Sequence, residues 1–167
     1  SALAYYLSEH PQVYFSNPKE IFYWCDDYSS SKHELGIKTL DDYFKLFEPA
    51  QNYHKVVAEG STRYLHSSCA AKNILKYDNE ARFIVMLRNP IELAPAYHME
   101  QVYSMHEDVE DFSLAWRMQE SRKQGKSIPK GCSEPELLQY SEIAKLGKQI
   151  TSLLSIVPKE QVLIILQ

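Results

Sequence analysis

An unbroken apolar run, Phe83-Ile-Val-Met-Leu87, lies near the middle of the chain and contains two β-branched residues. Such a run is typical of a strand that is buried on both faces, as in a parallel sheet. Asn89-Pro90 ends the strand, and proline suits the first turn of a helix. The pattern therefore predicts a buried strand over 83–87, followed directly by a helix that runs from Pro90 to about Met105.

Shorter apolar runs predict strands elsewhere, and apolar residues at helical spacing predict helices between them. The predicted strands are 12–15, 55–58 and 161–166, and the predicted helices are 3–9, 39–49, 67–77, 111–124 and a long one that ends near Val157. Strands that alternate with helices indicate parallel βαβ units. We therefore predict an α/β fold of three layers, in which Val56–Glu59, Phe83–Leu87 and Val162–Leu166 share a central parallel sheet with helices on both faces.

Composition narrows the possible functions. The chain has 167 residues, of which 44% are hydrophobic, and its net charge is −4. This composition suits a single α/β domain over 1–167, and the start on a helix and the end on a strand suggest a domain that is incomplete at both ends. The charge argues against nucleic acid or an anionic membrane as the main partner. No apolar run reaches the ~20 residues that a membrane span requires.

Neither cysteine nor histidine spacing indicates a metal site. Cys25, Cys69 and Cys132 form no CxxC pair, and the histidines form no HExxH motif. This spacing argues against a zinc site and against a disulfide framework. We therefore expect no metal cofactor.

Arg88 stands at the carboxyl end of the predicted strand 83–87, directly before the predicted helix. Open α/β folds bind ligands at this edge of a parallel sheet. A guanidinium group beside a helix N-terminus suits an anion such as phosphate. From these residues alone, Arg88 is either an anion ligand or an ordinary surface arginine after a core strand.

Five segments resemble, in order, the sulfotransferases that depend on PAPS (3′-phosphoadenosine 5′-phosphosulfate), in particular the carbohydrate, heparan-type and related bacterial branch. These segments are Leu3–Pro11, Lys19–Tyr23, Ala58–Tyr64, Phe83–Pro90 and Val157–Leu163. The resemblance implies a P-loop-type α/β fold. It also implies that PAPS donates a sulfuryl group and that the glycines and lysine of the phosphosulfate-binding loop would lie before residue 1.

The resemblance assigns roles to individual residues. Glu20 matches the general base, Arg88 matches the arginine that binds the 3′-phosphate, and Ser1 falls on the last hydroxyl position of the phosphosulfate-binding loop. Aromatic neighbours would desolvate Glu20 and raise its pKa toward a useful range. Ala96 departs from the family, because a serine at this position usually shares the 3′-phosphate.

The acceptor side is assigned less completely. Lys19, Phe22 and Glu59 are predicted to bind or line the acceptor, and Gly60 stands where several family members carry lysine. Without the resemblance, Lys19 and Glu20 are interpreted as a solvated pair after a turn. The aromatic run that includes Phe22 could stack on a sugar ring or pack in the core.

The predicted function is transfer of a sulfuryl group from PAPS to a hydroxyl or amine acceptor, such as a carbohydrate, without a metal. One alternative is a non-catalytic binding or scaffold member of the same fold, which Ala96 supports. The other is a P-loop kinase-like nucleotide-binding protein, which would need a Walker loop and a magnesium carboxylate. The expected partners are the nucleotide and a small-molecule or glycan acceptor. We expect a cytoplasmic location, or the Golgi lumen if a membrane anchor precedes residue 1.

Overall fold

A computed structural model describes residues 2–28, 30 and 35–167 of the chain. The elements, in chain order, are α1 (Ala2–Ser8), β1 (Val13–Phe15), α2 (Leu40–Lys45), β2 (Val56–Ala58), α3 (Ala70–Tyr77), β3 (Phe83–Leu87), α4 (Pro90–Tyr103), α5 (Phe112–Arg117), α6 (Gln119–Lys123), α7 (Tyr140–Ile143), α8 (Leu146–Leu154) and β4 (Val162–Leu166). Short 3-10 turns lie at Thr62–Leu65, Pro135–Leu138 and Lys159–Gln161. The chain divides into two compact units, Ser1–Ile74 and Leu75–Gln167. The single domain expected from the sequence remains a prediction.

The first unit is built on a parallel pair of short strands. β1 and β2 pair with Val13 opposite Val56 and Phe15 opposite Ala58. The ladder continues beyond β1, where the Ser16 N–H donates to the carbonyl of Ala58 at 2.8 Å. The segment after β2, which begins at Glu59, therefore starts beside the segment that leads from β1 towards Glu20.

An aromatic cluster forms the core of the first unit. Ile21, Ile37 and Tyr43 are buried at its centre. The partly buried residues that pack around them are Tyr23, Trp24, Phe44, Leu46 and Phe47. The rings of Tyr23 and Tyr43 stack with their centroids 4.8 Å apart. α2 contributes Tyr43, so the position of this helix determines where the Tyr43 hydroxyl points.

The second unit contains the strand and helix that the apolar pattern predicted. β3 and β4 pair in parallel, with Phe83 opposite Val162 and Leu87 opposite Leu166. Asn89 caps α4 by accepting a hydrogen bond from the Ile91 N–H at 3.0 Å, and Pro90 opens the helix. The strand, its parallel direction and the following helix agree with the sequence prediction.

A buried ion pair anchors the helical part of the second unit. Arg122 and Glu107 are 1% and 3% exposed, and they form a bidentate contact. The Tyr140 hydroxyl also donates to Glu107, at 2.6 Å. Beside this group lies an apolar cluster of Ala115, Cys132, Leu138 and Tyr140. A buried carboxylate with several donors and a cation is well compensated for its loss of water.

Several sequence predictions differ from the structure, and one of them is the single helix over 111–124, which is divided at Met118 into α5 and α6. In the described part of the chain, β2 pairs with β1 in a separate two-stranded sheet, and β3 pairs with β4. The predicted parallel direction of these strands is confirmed, but among the described residues β2 is not hydrogen-bonded into the sheet of β3 and β4 that the prediction placed it in. Alternation of strands and helices indicates that the strands are parallel, but it does not identify which strands pair with each other.

The burial of β3 is also less complete than predicted. Val85 is buried, whereas Ile84 and Met86 are 46% and 37% exposed. The pairing partner of Ile84 on β4, Leu163, is exposed as well. The apolar run therefore indicated a strand correctly, but it did not indicate which face of that strand is buried by the described residues.

The long helix predicted to end near Val157 is interrupted. α7 ends at Ile143 and α8 begins at Leu146. The side-chain amide of Gln149 donates to the carbonyls of Glu142 and Ile143 at 3.1 and 3.0 Å, and so satisfies the end of α7. Among the described residues, no helix combines the length and the apolar character needed to cross a membrane.

Candidate active site

The Glu20 carboxylate is held by hydrogen bonds on both of its oxygens. The Lys19 ammonium contacts Oε1 at 2.6 Å. The backbone N–H and the hydroxyl of Thr62 donate to Oε2 at 2.9 and 2.6 Å. The side chain of Glu20 remains 20% exposed. The carboxylate is thus fixed in direction while part of its surface still faces solvent.

The environment of Glu20 favours its charged form. Burial by itself would raise the pKa of this carboxyl group, but the hydrogen bonds from Lys19 and Thr62 and the charge of Lys19 outweigh it. The pKa of Glu20 therefore lies below its ordinary value. The sequence-based expectation of a raised pKa was wrong, because it considered the aromatic neighbours and omitted Lys19 and Thr62 as donors.

Glu59 lies at the end of β2 and receives three hydroxyl donors. Tyr43 and Tyr64 donate to Oε1 at 3.0 and 2.7 Å, and Ser61 donates to Oε2 at 2.9 Å. Desolvation by burial raises the pKa of Glu59, and the negative charge of Glu20 adds to this effect, while the three hydrogen bonds oppose it. The two carboxyl groups are therefore shifted in opposite directions by their surroundings.

The space beside Gly60 is narrow. A Cβ atom at Gly60 would lie 2.9 Å from Cζ of Phe15 and 3.4 Å from Cε of Lys19. A side chain at position 60 would therefore collide with the Phe15 ring and lie in contact with the stem of Lys19. Glycine at this position avoids the clash with Phe15.

Phe22 has an unusual backbone conformation and a cationic neighbour. Its φ angle is 55°, which lies in the left-handed region that residues with a side chain rarely occupy. The guanidinium carbon of Arg63 lies 4.4 Å from the centroid of the Phe22 ring. One face of the ring therefore packs against Arg63, and the predicted contact of Phe22 with an acceptor remains a prediction.

Arg88 lies at the carboxyl end of β3, as the sequence indicated. Its side chain is 46% exposed, and Nε contacts Glu92 in the first turn of α4 at 3.2 Å. Nearby, the Asn89 side chain accepts a hydrogen bond from the N–H of Ile91. The terminal nitrogens of Arg88 make no contact with Glu92 in the described structure, so they could receive an anion.

The predicted site residues fall into two groups. Lys19, Glu20, Phe22 and Glu59 lie together in the first unit, and Arg88 belongs to the second unit. Ser1 lies outside the described residues. Ala96 is on α4, where the helix continues unbroken to Tyr103, so Ser104 lies about 12 Å further along the axis. Ser104 therefore lies too far along α4 to act from the position of Ala96.

Sequence reasoning assigned no role to Ser61, Thr62, Tyr43 or Tyr64, which hold the two carboxylates. The available signal was two hydroxyl residues directly after Glu59-Gly60. Their contacts with residues about 40 positions away cannot be read from local spacing. Within the described residues, no group of three or more histidine, cysteine or acidic side chains is arranged to hold a metal ion.

Comparison with known proteins gives two informative matches. The chain is 29% identical over 90 residues to a membrane-associated sulfotransferase of Dictyostelium discoideum, covering 54% of this chain and 18% of that protein. The crystal structure of a sulfotransferase from Alicyclobacillus acidocaldarius superposes with a TM-score of 0.81 at 25% identity. That match covers 96% of this chain and 65% of the solved one. No protein-family profile matches the chain.

Proposed function

We propose that this chain, which is similar to sulfotransferases in sequence and in fold, forms part of an enzyme that transfers a sulfuryl group to a hydroxyl or amine acceptor. The support is the match to two sulfotransferases, which extends over nearly the whole chain in the structural comparison. The chain spans 18% of the first relative and 65% of the second. We therefore propose this activity for the whole protein and not for these residues alone.

The observation that carries the proposal is the Glu20 carboxylate, which is ionised, fixed in direction and still partly exposed. An acceptor hydroxyl must lose a proton as its oxygen bonds to sulfur. A carboxylate at hydrogen-bond distance from that hydroxyl can accept the proton. Glu20 is our proposed general base, and the Lys19 ammonium beside it would favour the negative charge of the transferred group.

The proposed donor is PAPS, which when bound would supply the sulfuryl group and leave as 3′-phosphoadenosine 5′-phosphate. Arg88 is suited to bind an anion, because its side chain is half exposed beside the start of α4. Its contact with Glu92 is made through Nε. A guanidinium group can bind a phosphate through two nitrogens. We propose that Arg88 binds the 3′-phosphate, that Ser1 contributes to the phosphosulfate site and that no metal takes part.

The proposed acceptor is a carbohydrate, with Phe22 and Lys19 near it. The three cysteines of the described chain are unpaired, which suits the reducing environment of the cytoplasm as the proposed location. The Golgi lumen stays as the alternative. A non-catalytic binding member of the fold is the second candidate function, because Ala96 removes a hydroxyl from the proposed 3′-phosphate site.

Calorimetry with 3′-phosphoadenosine 5′-phosphate tests the donor site on the full-length protein. We expect binding, and we expect Arg88→Ala to weaken it by about 1.5–3 kcal/mol, the scale of a hydrogen bond to a charged group. Arg82→Ala is the matched control, because Arg82 is an exposed arginine at the other end of β3. Equal affinity of the Arg88 variant and the wild type would remove Arg88 from the site.

Turnover with PAPS and a panel of glycan acceptors tests the chemistry. Glu20→Gln keeps the shape of the side chain but cannot accept the proton, so we expect turnover to fall by about 10²–10⁴-fold. The affinity for 3′-phosphoadenosine 5′-phosphate should remain unchanged. Nucleotide binding without any transfer would favour the non-catalytic candidate, and near-normal turnover of Glu20→Gln would exclude Glu20 as the base.

A further inference from the structure

The loop that carries Glu20 is attached to the chain after β2 through the Ser61 hydroxyl. Its oxygen accepts hydrogen bonds from the N–H groups of Ile21 and Phe22, both at 3.1 Å. A hydroxyl oxygen has two lone pairs, and these contacts use both of them. The hydroxyl proton is then directed to Glu59, which accepts it at 2.9 Å.

The backbone at Phe22 requires such support. Its φ angle of 55° is unfavourable for a residue with a side chain. A backbone in this region persists when its surroundings hold it there. The two hydrogen bonds to Ser61 act on this residue and on its neighbour Ile21, which is fully buried. Loss of these bonds would allow Phe22 to return to a common conformation.

The next residue in the same segment holds the carboxylate itself. Thr62 follows Ser61 and donates two hydrogen bonds to Oε2 of Glu20. The segment from Glu59 to Thr62 therefore fixes both the backbone beside Glu20 and the direction of its side chain. Glu59 is the end of this connection, since Tyr43 and Tyr64 hold its other oxygen.

We propose that Glu59 is a positioning residue that acts through Ser61 to hold the loop of Glu20 in its working geometry. This role goes beyond the lining role predicted from the sequence. The inference rests on the proposed function of Glu20 as the general base. The predicted effect on the pKa of Glu20 can be measured without any donor or acceptor.

The first test measures the pKa of Glu20 by carbon-13 NMR titration of its side-chain carboxyl, assigned by comparison with Glu20→Gln. Ser61→Ala removes the hydrogen bonds that link Glu59 to the backbone of Ile21 and Phe22. Glu20 should then move away from the Thr62 donors, and the pKa of Glu20 should rise. Tyr64→Phe is the matched control, because it removes a hydroxyl from Glu59 but leaves Ser61 in place. We expect the control to keep the wild-type pKa of Glu20.

The second test uses the sign of the change. Removing the Glu59 charge alone would lower the pKa of Glu20, because a neighbouring negative charge disfavours ionisation. Loss of alignment with Thr62 would raise it. We expect Glu59→Met to raise the pKa of Glu20. A lower pKa in Glu59→Met, or an unchanged pKa in Ser61→Ala, would overturn the proposal. The serine variant decides the question if the methionine variant does not fold.

Kinetics separate this inference from the proposed function. With sulfuryl transfer established in the wild type, Ser61→Ala should lower kcat by up to about 10²-fold, the usual effect of a misplaced catalytic group. KM for the donor should stay the same. A wild-type protein without transfer activity would contradict the proposed function, while the titration would still decide whether Glu59 and Ser61 position Glu20.

Discussion

At the scale of the residue, the charge state of Glu20 depends on a small number of neighbours. Lys19 supplies a cation at 2.6 Å and Thr62 supplies two donors, and together they outweigh desolvation. Glu59, on the opposite side of Ser61, has its pKa raised. The pKa values of these two connected carboxyl groups are thus moved in opposite directions, by the donors and cation at Glu20 and by burial at Glu59.

The Lys19→Met variant tests this balance through pH dependence. A general base must be deprotonated, so activity is lost as the pH falls through the pKa of Glu20. In the wild type we expect this loss below the ordinary glutamate value of 4.5, because the pKa of Glu20 is lowered. Without the Lys19 ammonium the pKa rises, and the acid limb of the kcat profile should move to higher pH.

Lys45→Met is the control for this experiment. Lys45 is also a lysine of the first unit, and it pairs with Asp42 on the exposed surface of α2. Its removal changes the net charge equally but leaves Glu20 and its donors in place. An acid limb that stays fixed in Lys19→Met, or that moves equally in both variants, would show that Lys19 does not set the ionisation of Glu20.

At the scale of the element, α2 shows how a short helix is fixed. Thr39 accepts from the Asp42 N–H at 3.1 Å, and the Asp42 carboxylate accepts from the Thr39 N–H at 3.2 Å, which forms a capping box. The sequence predicted a helix that begins at residue 39, and the cap fixes the start of the helix that carries Tyr43, whose hydroxyl donates to Glu59. Isolated helices of this length are unstable, so the cap contributes to its position.

Thr39→Ala should therefore lower the free energy of unfolding of the first unit by about 0.5–2 kcal/mol, the usual cost of losing an N-cap hydroxyl. Thr39→Ser should restore most of it, because serine keeps the hydroxyl. Urea unfolding measures the difference. Thr151→Ala in α8 is the control, since its exposed hydroxyl bonds within its own helix. A Thr39→Ala variant as stable as the wild type would contradict the role of the cap.

Local signals were sufficient for part of the fold. The strand at Phe83–Leu87 and the helix that begins at Pro90 each depend on residues close in sequence, and both were predicted. The pairing of β2 with β1 depends on contacts between residues that are far apart in the sequence. The break before Leu146 involves hydrogen bonds from the Gln149 side chain. These contacts follow from tertiary structure, which no periodicity describes.

The same distinction applies to the candidate site. Glu20 and Arg88 were identified by resemblance, and Lys19 is adjacent in sequence. The partners of Glu20 and Ile21 in the segment after Glu59 lie 42 and 40 residues away in the chain. Local spacing therefore identified the carboxylate but not the hydrogen bonds that decide its pKa and its direction.

At the scale of the whole molecule, the second unit depends on charges that are buried. Arg122 and Glu107 are almost fully enclosed, and Tyr140 and the Val109 N–H complete the hydrogen bonds of the carboxylate. Burial would raise the pKa of Glu107, but the hydrogen bonds from Arg122 and Tyr140 outweigh it and lower the pKa. The folded state therefore binds this proton less readily than the unfolded chain, and the resulting stability is lost on acidification.

Arg122→Met should destabilise the second unit by about 3–5 kcal/mol, because it leaves a buried carboxylate without its cation. Arg117→Met, which removes an exposed arginine from α5, should change stability little. The sign of the pH dependence gives a sharper test. Without Arg122 the pKa of Glu107 rises above its unfolded value, so the variant regains stability relative to the wild type as the pH is lowered. Urea unfolding at neutral and acidic pH measures this, and a deficit that stays constant or widens on acidification would show that the Glu107 charge is not what Arg122 compensates.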